Sequence, residues 1–129
     1  MEHKKYSFHE GAVRALCFSP KNQEIIATGS ADGFVKLVHL PSHTELHAFH
    51  HQGDVNCVAI SSSAHYLLSA GDTGLAKIWN LITKEEVQVF DVHNQTPTPV
   101  YSCAISRSEE KCIFSTWDGT IHIFGFPYA

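Results

Sequence analysis

The sequence predicts an all-β fold made from one structural unit used three times, and three observations predict it. Equivalent apolar segments open at Val13, Val55 and Val100, 42 and 45 residues apart, while Gly33, Gly74 and Gly119 recur at intervals of 41 and 45. A period of about 40–50 residues holding several short apolar runs marks a repeat architecture. Within each copy apolar residues alternate with a period of two, the signature of a strand rather than a helix. Between two such runs each copy carries a turn signal: Asp32-Gly33, Thr73-Gly74 and Asp118-Gly119. Asp-Gly flanked by apolar runs is a strong hairpin signal, and Thr-Gly is a weaker one.

The elements follow in order. Each copy opens on a histidine (His9, His51, His93), followed by a strand that ends Phe18-Ser19-Pro20, Ile60-Ser61 or Ile105-Ser106. In Val13–Phe18, alternation puts Val13, Ala15 and Cys17 on one face and Arg14, Leu16 and Phe18 on the other. Both faces are largely apolar, as in a strand covered on both sides. Strands are predicted near 13–18, 24–29, 34–39 and 45–49, with equivalents about 42 and 87 residues on. Outer strands are read at Leu46-Ala48-Phe49 and Val87-Val89-Phe90, with Lys5-Tyr6-Ser7-Phe8 as the corresponding partner of the first copy. That grouping gives three sets of four antiparallel strands within one domain, residues 1–129, with units of about 5–40, 45–81 and 87–126. The segment Asn94-Gln95-Thr96-Pro97-Thr98-Pro99 lengthens the entrance of the third copy, and its prolines bar ladder pairing, so a loop is expected there.

These residues resemble WD (WD40) repeats. Phe18-Ser19-Pro20, Thr28-Gly29-Ser30 and Trp79-Asn80, the last standing where Trp-Asp is usual, carry the likeness, which runs from about Tyr6 to Phe126. The resemblance implies four-stranded propeller blades. Three blades would form an incomplete or partial β-propeller, because a closed ring takes about four to eight. In such repeats the resemblance also implies a structural hydrogen-bond chain of histidine, strand Ser/Thr, turn Asp and terminal Trp. The first copy offers His9, Thr28 and Asp32, with Val38 in place of Trp. The second offers His51, Ser69 and Trp79, but Thr73 stands at the Asp position and Asp72 lies one place early. The third offers His93 and Asp118, with Phe114 and Phe124 at the other two positions. No chain is complete, so marginal stability is expected.

Composition narrows the function. The net charge is −4 and charges are scattered in ones and twos, whereas a nucleic-acid footprint is a clustered basic face. No apolar run is long enough to cross a bilayer, and the first residues lack a secretory apolar core. Cys17, Cys57, Cys103 and Cys112 fall inside predicted strands without zinc spacing, which reads as small buried hydrophobes of a reduced, intracellular protein, cytoplasmic or nuclear. His43, His47, His50 and His51 invite a metal, but His43 and His47 lie about 13 Å apart at roughly 3.3 Å per residue, so loop histidines in solvent are the simpler account. Ser, His and Asp are present only at repeat-equivalent positions, with no nucleophile elbow, phosphate loop or paired carboxylates. Neither an enzyme nor a cofactor is expected.

The resemblance implies a protein–protein interaction scaffold that binds a peptide or protein through loops on one face. Its partner residues map to Arg14, Asn56 and Tyr101 after the opening Val, Asp54 before it, and Trp117 before Asp118. Trp, Tyr and Arg are common interface anchors, although Trp117 equally suits packing on a neighbouring loop. The alternative is a structural piece or isoform that completes a larger propeller by oligomerisation or in a multi-subunit assembly, because open end blades leave apolar faces uncovered.

Overall fold

The computed structural model describes residues 4–91 and 98–126. Eleven strands are the regular elements of this part: β1 (Val13–Phe18), β2 (Ile25–Ser30), β3 (Phe34–His39), β4 (Thr44–His50), β5 (Val55–Ile60), β6 (Tyr66–Gly71), β7 (Leu75–Asn80), β8 (Glu86–Asp91), β9 (Val100–Ile105), β10 (Lys111–Thr116) and β11 (Ile121–Gly125). They form three antiparallel meanders, β1-β2-β3-β4, β5-β6-β7-β8 and β9-β10-β11. The all-β partial propeller read from the repeats is what the chain builds. The three hairpins at the turn signals share one geometry. Gly33, Gly74 and Gly119 all adopt positive φ, 88°, 80° and 86°, and each closes a turn by donating its N–H to the carbonyl three residues earlier. Only glycine takes that left-handed conformation without strain.

Two details differ from the sequence reading. Residues 5–8 are not a strand; the outer strand of the first sheet is β4, which joins β3 through a short turn at 40–43. A hairpin neighbour takes the open edge of β3 before a distant segment can reach it. The outer strand of each sheet therefore comes from the start of the next repeat, so three repeats supply three inner triplets but two outer strands. The third sheet accordingly has three strands among the described residues. The second difference lies in β1. The pairing with β2 slips between Val13 and Ala15, and this bulge turns Val13 away from the face shared by Ala15 and Cys17. Val13 is half-exposed and lines a cavity with Leu16. The same slip in β5 separates Val55, which packs toward the first sheet, from Cys57, which packs toward the third.

The core is two layers between sheets. Between the first and second, Ala27, Val35, Leu37 and Phe49 meet Val58, Leu67 and Trp79, with the Phe49 and Trp79 rings 5.0 Å apart. Between the second and third, Leu68, Ile78 and Phe90 meet Val100, Cys112 and Phe114. Glycine sets the closeness of the first layer: a Cβ on Gly29 would fall 2.5 Å from Val55 Cγ1.

Candidate functional site

Antiparallel meanders place the starts of β1, β5 and β9 and the ends of β2, β6 and β10 at one end of the molecule. The inner strands β1, β5 and β9 are neighbours in turn, so their second residues, Arg14, Asn56 and Tyr101, share one rim. Arg14 Nη1 reaches across from the first sheet to Asp54 Oδ2 at 3.2 Å, Asn56 Oδ1 at 3.1 Å and Asp72 Oδ2 at 3.4 Å. Asn56 Nδ2 in turn donates to Asp72 Oδ1 at 2.6 Å and to the Val100 carbonyl at 3.0 Å. One polar strap thus ties the three sheets together. Its charged members are about 40% exposed, so each ion pair contributes at most about 1 kcal/mol. Asp72 is the member that sequence reasoning missed. Its displacement by one place from the turn position was the signal, because that shift turns it toward the rim rather than toward His51.

Tyr101 follows Val100, whose carbonyl the strap reaches, Trp117 lies in the turn between β10 and β11, and neither side chain is hydrogen-bonded among the described residues. Trp117 donates its backbone N–H to the Pro99 carbonyl at 3.1 Å, which seats the turn against the start of β9. Trp117 is 64% exposed and Tyr101 58%. The five residues assigned to a partner face therefore lie at one end of the molecule, Arg14, Asp54 and Asn56 in mutual contact and the two aromatics on the neighbouring sheet. His93 and residues 94–97 of the long loop lie outside the described residues.

The histidine chains form to different degrees. In the first sheet His9 bridges Thr28 Oγ1 (2.6 Å, Nε2) and Asp32 Oδ2 (2.9 Å, Nδ1). Burial opposes the charge of Asp32, yet hydrogen bonds from the Phe34 N–H, His9 and the Glu10 N–H outweigh it and hold the carboxyl below its ordinary range. In the second sheet Ser69 Oγ accepts the Trp79 indole N–H at 3.0 Å and pairs with His51 Nδ1 at 2.8 Å. With Thr73 in the acid's place, His51 Nε2 is buried without a hydrogen-bond partner among the described residues. Burial, and then the nearby Lys77 cation, push the His51 pKa down to about 4. In the third sheet Asp118 serves its own turn, accepting from the Thr116 hydroxyl at 2.6 Å and the Thr120 N–H at 3.2 Å; those bonds lower its pKa.

Several other titratable groups are held in structural roles. Lys36 and Lys77, at equivalent places in β3 and β7, reach Glu45 at 2.8 Å and Glu86 at 3.1 Å. The sequence reading passed over both pairs, although a lysine recurring inside an apolar strand was their signal. Burial raises the Cys17 and Cys112 thiols to about 11, and a hydrogen bond with Cys57, together with burial, holds Cys103 well above its ordinary value. Thiols so raised stay protonated at neutral pH and are poor nucleophiles and metal ligands. His50 stacks on Phe34 at 5.0 Å and His47 meets Phe49 edge-on at 4.5 Å, so the histidines around β4 are engaged with aromatic rings separately rather than converging.

Comparison with known proteins agrees with this architecture. The family model for the WD domain, G-beta repeat, matches residues 2–39, 43–80 and 84–125. The chain is 30% identical over 120 residues to a probable coatomer subunit beta' of Schizosaccharomyces pombe, covering 90% of this chain and 15% of that protein. It is 28% identical over 116 residues to a p21-activated protein kinase-interacting protein 1-like protein of Danio rerio, covering 85% and 31%, and 30% identical over 84 residues to the protein transport protein sec31 of Aspergillus oryzae, covering 62% and 7%. The chain therefore spans less than a third of each of these relatives. Among solved structures, the WD40 repeats of RRP9 superpose with a TM-score of 0.82 at 22% identity, covering 92% of this chain and 37% of that one. With three matched repeats spanning nearly its whole length, the chain belongs to the WD-repeat family.

Proposed function

We propose that the chain is a protein-interaction scaffold that docks a peptide or protein segment on the rim formed by Arg14, Asp54, Asn56, Tyr101 and Trp117. The observation that carries this reading is the exposed Trp117–Tyr101 pair beside the Arg14 strap. Large aromatic rings held in fixed positions at a polar rim are the usual anchors of an interface, whereas a tryptophan gains nothing from standing in water. WD-repeat propellers are generally non-catalytic scaffolds, and relatives named as a coatomer subunit and a kinase-interacting protein fit a role in assemblies. Four free cysteines suit an intracellular setting, cytoplasmic or nuclear, and the scattered charge of −4 suits neither nucleic acid nor a membrane surface as partner. A photo-crosslinking amino acid at Tyr101, expressed in cells, should trap discrete protein adducts, while the same group at Ile82, exposed in the β7–β8 turn at the opposite end, should not. No adduct at Tyr101, or the same adducts at both positions, would overturn the reading.

A second reading is favoured by a separate observation. Leu16 and Phe18 on the first sheet are 66% and 60% exposed, and Ile123 on the third is 64% exposed, as in blades that await a neighbour. The chain would then supply three blades to a larger ring.

A further inference from the structure

The two outward faces of the end sheets are not generic apolar surface. On the first sheet Leu16, Phe18 and Ile26 hold the places that Val58, Ile60 and Leu67 hold in the second sheet. Those three pack into the layer against the first sheet. On the third sheet Ala104, Ile113 and Ile123 hold the places of Ala59, Leu68 and Ile78, which pack into the layer against the third. Each end face is thus one half of an interface that the chain already makes twice within itself, and the two halves sit at opposite ends. The first face is also hollowed: Tyr6, Val13, Leu16, Ile26 and Leu40 line a cavity of about 250 Å³. The segment 4–9 borders this hollow without covering Leu16 or Phe18.

We infer that the end faces bind each other between two copies of this chain, head to tail, the first sheet of one copy against the third sheet of the next. The inference rests on the second reading above and names the partner: the complement of each face is carried by the same molecule, because the internal layers pair faces at equivalent places. The contact is heterologous, since unlike faces meet. Two copies related by a two-fold axis make it twice and close a ring, and a rotation that misses closure gives an open chain instead.

Heterologous pairing has a signature that other self-association lacks. Leu16→Glu and Ile123→Glu each disable one face at an exposed position, so each variant alone keeps one live face with no complement. Measured by sedimentation equilibrium, the wild-type chain should associate and each variant alone should be monomeric. Their equimolar mixture should form a one-to-one dimer, and that recovery also shows that both variants are folded. Phe18→Glu and Ile121→Glu, at neighbouring places on the two faces, should repeat the pattern. A monomeric wild type, self-association of either variant alone, or a mixture that stays monomeric with both pairs would overturn the inference. A hydrophobic dye separates this failure from failure of the reading beneath it. A monomer that binds dye still has open blade faces for another chain, whereas a monomer silent to dye has none.

Discussion

His51 and His9 hold the same place in successive repeats, and one substitution nearby gives them different physical characters. Asp32 answers His9, whereas with Thr73 the buried His51 Nε2 has no hydrogen-bond partner among the described residues. The His51 pKa of about 4 in the folded chain lies below the ordinary value of about 6.5. As pH falls through 6.5 the unfolded chain takes up a proton that the folded chain refuses, so stability is lost between about pH 6.5 and 4 and is constant with respect to this group outside that window. The difference corresponds to about 3 kcal/mol. Urea unfolding at pH 7.5 and 4.5 should show that loss, and His51→Gln should remove most of it; an equal pH dependence in the variant would exclude His51 as its source. Asp32 has the opposite sense: its depressed carboxyl pKa stabilises the fold above the ordinary carboxylate range and ceases to as pH falls through its folded value. Trp79 is 7% exposed and its indole N–H is bonded to Ser69. Trp79→Ala should therefore cost about 3–5 kcal/mol in urea unfolding, and a loss below about 1 kcal/mol would show that its layer is not a packed core.

At the scale of the element, the contact between β2 and β5 decides how closely the first two blades approach. Gly29→Ala would set a Cβ 2.5 Å from Val55 Cγ1, an overpacking expected to cost about 1–3 kcal/mol. Trimming the opposing side chain should relieve it, so Gly29→Ala/Val55→Ala should be less destabilised than the sum of the single variants in a double-mutant cycle. Strict additivity would mean that the blades do not meet there. Strand positions were legible in the sequence because alternation and the turn glycines report on local geometry. Two features were not. The bulge after Val13 shifts the alternation by one, and no residue type at Val13-Arg14-Ala15 announces it. The outer strand of the first blade depends on whether β3 pairs forward with 44–50 or backward with 5–8, and both segments carry apolar residues. Short-range hairpin closure, rather than composition, selects the forward partner. Of the rim, Arg14, Asp54 and Asn56 were legible as neighbours only through the repeat register, which sets β1 beside β5; the part played by Asp72 required the side-chain geometry.

For the whole molecule, the packed core and the proposed docking rim occupy different places. Packing lies in the two layers between blades, where Phe49, Trp79, Phe90 and Phe114 are buried. The rim is a thin polar strap whose removal would loosen little, with two aromatics, Tyr101 and Trp117, that stand largely exposed. The arrangement implies a separation of binding from stability, in which the scaffold can lose its partner without losing its structure. It is tested most directly by measuring, on one Trp117→Ala preparation, the affinity for the protein captured at Tyr101 and the urea midpoint. Truncation of a central anchor costs about 2 kcal/mol or more of binding, about thirtyfold in Kd, while an exposed side chain changes stability by no more than about 0.5 kcal/mol. The expected result is a Kd at least thirtyfold weaker with an unmoved midpoint. Unchanged affinity, or a midpoint that falls as far as that of Trp79→Ala, would contradict it.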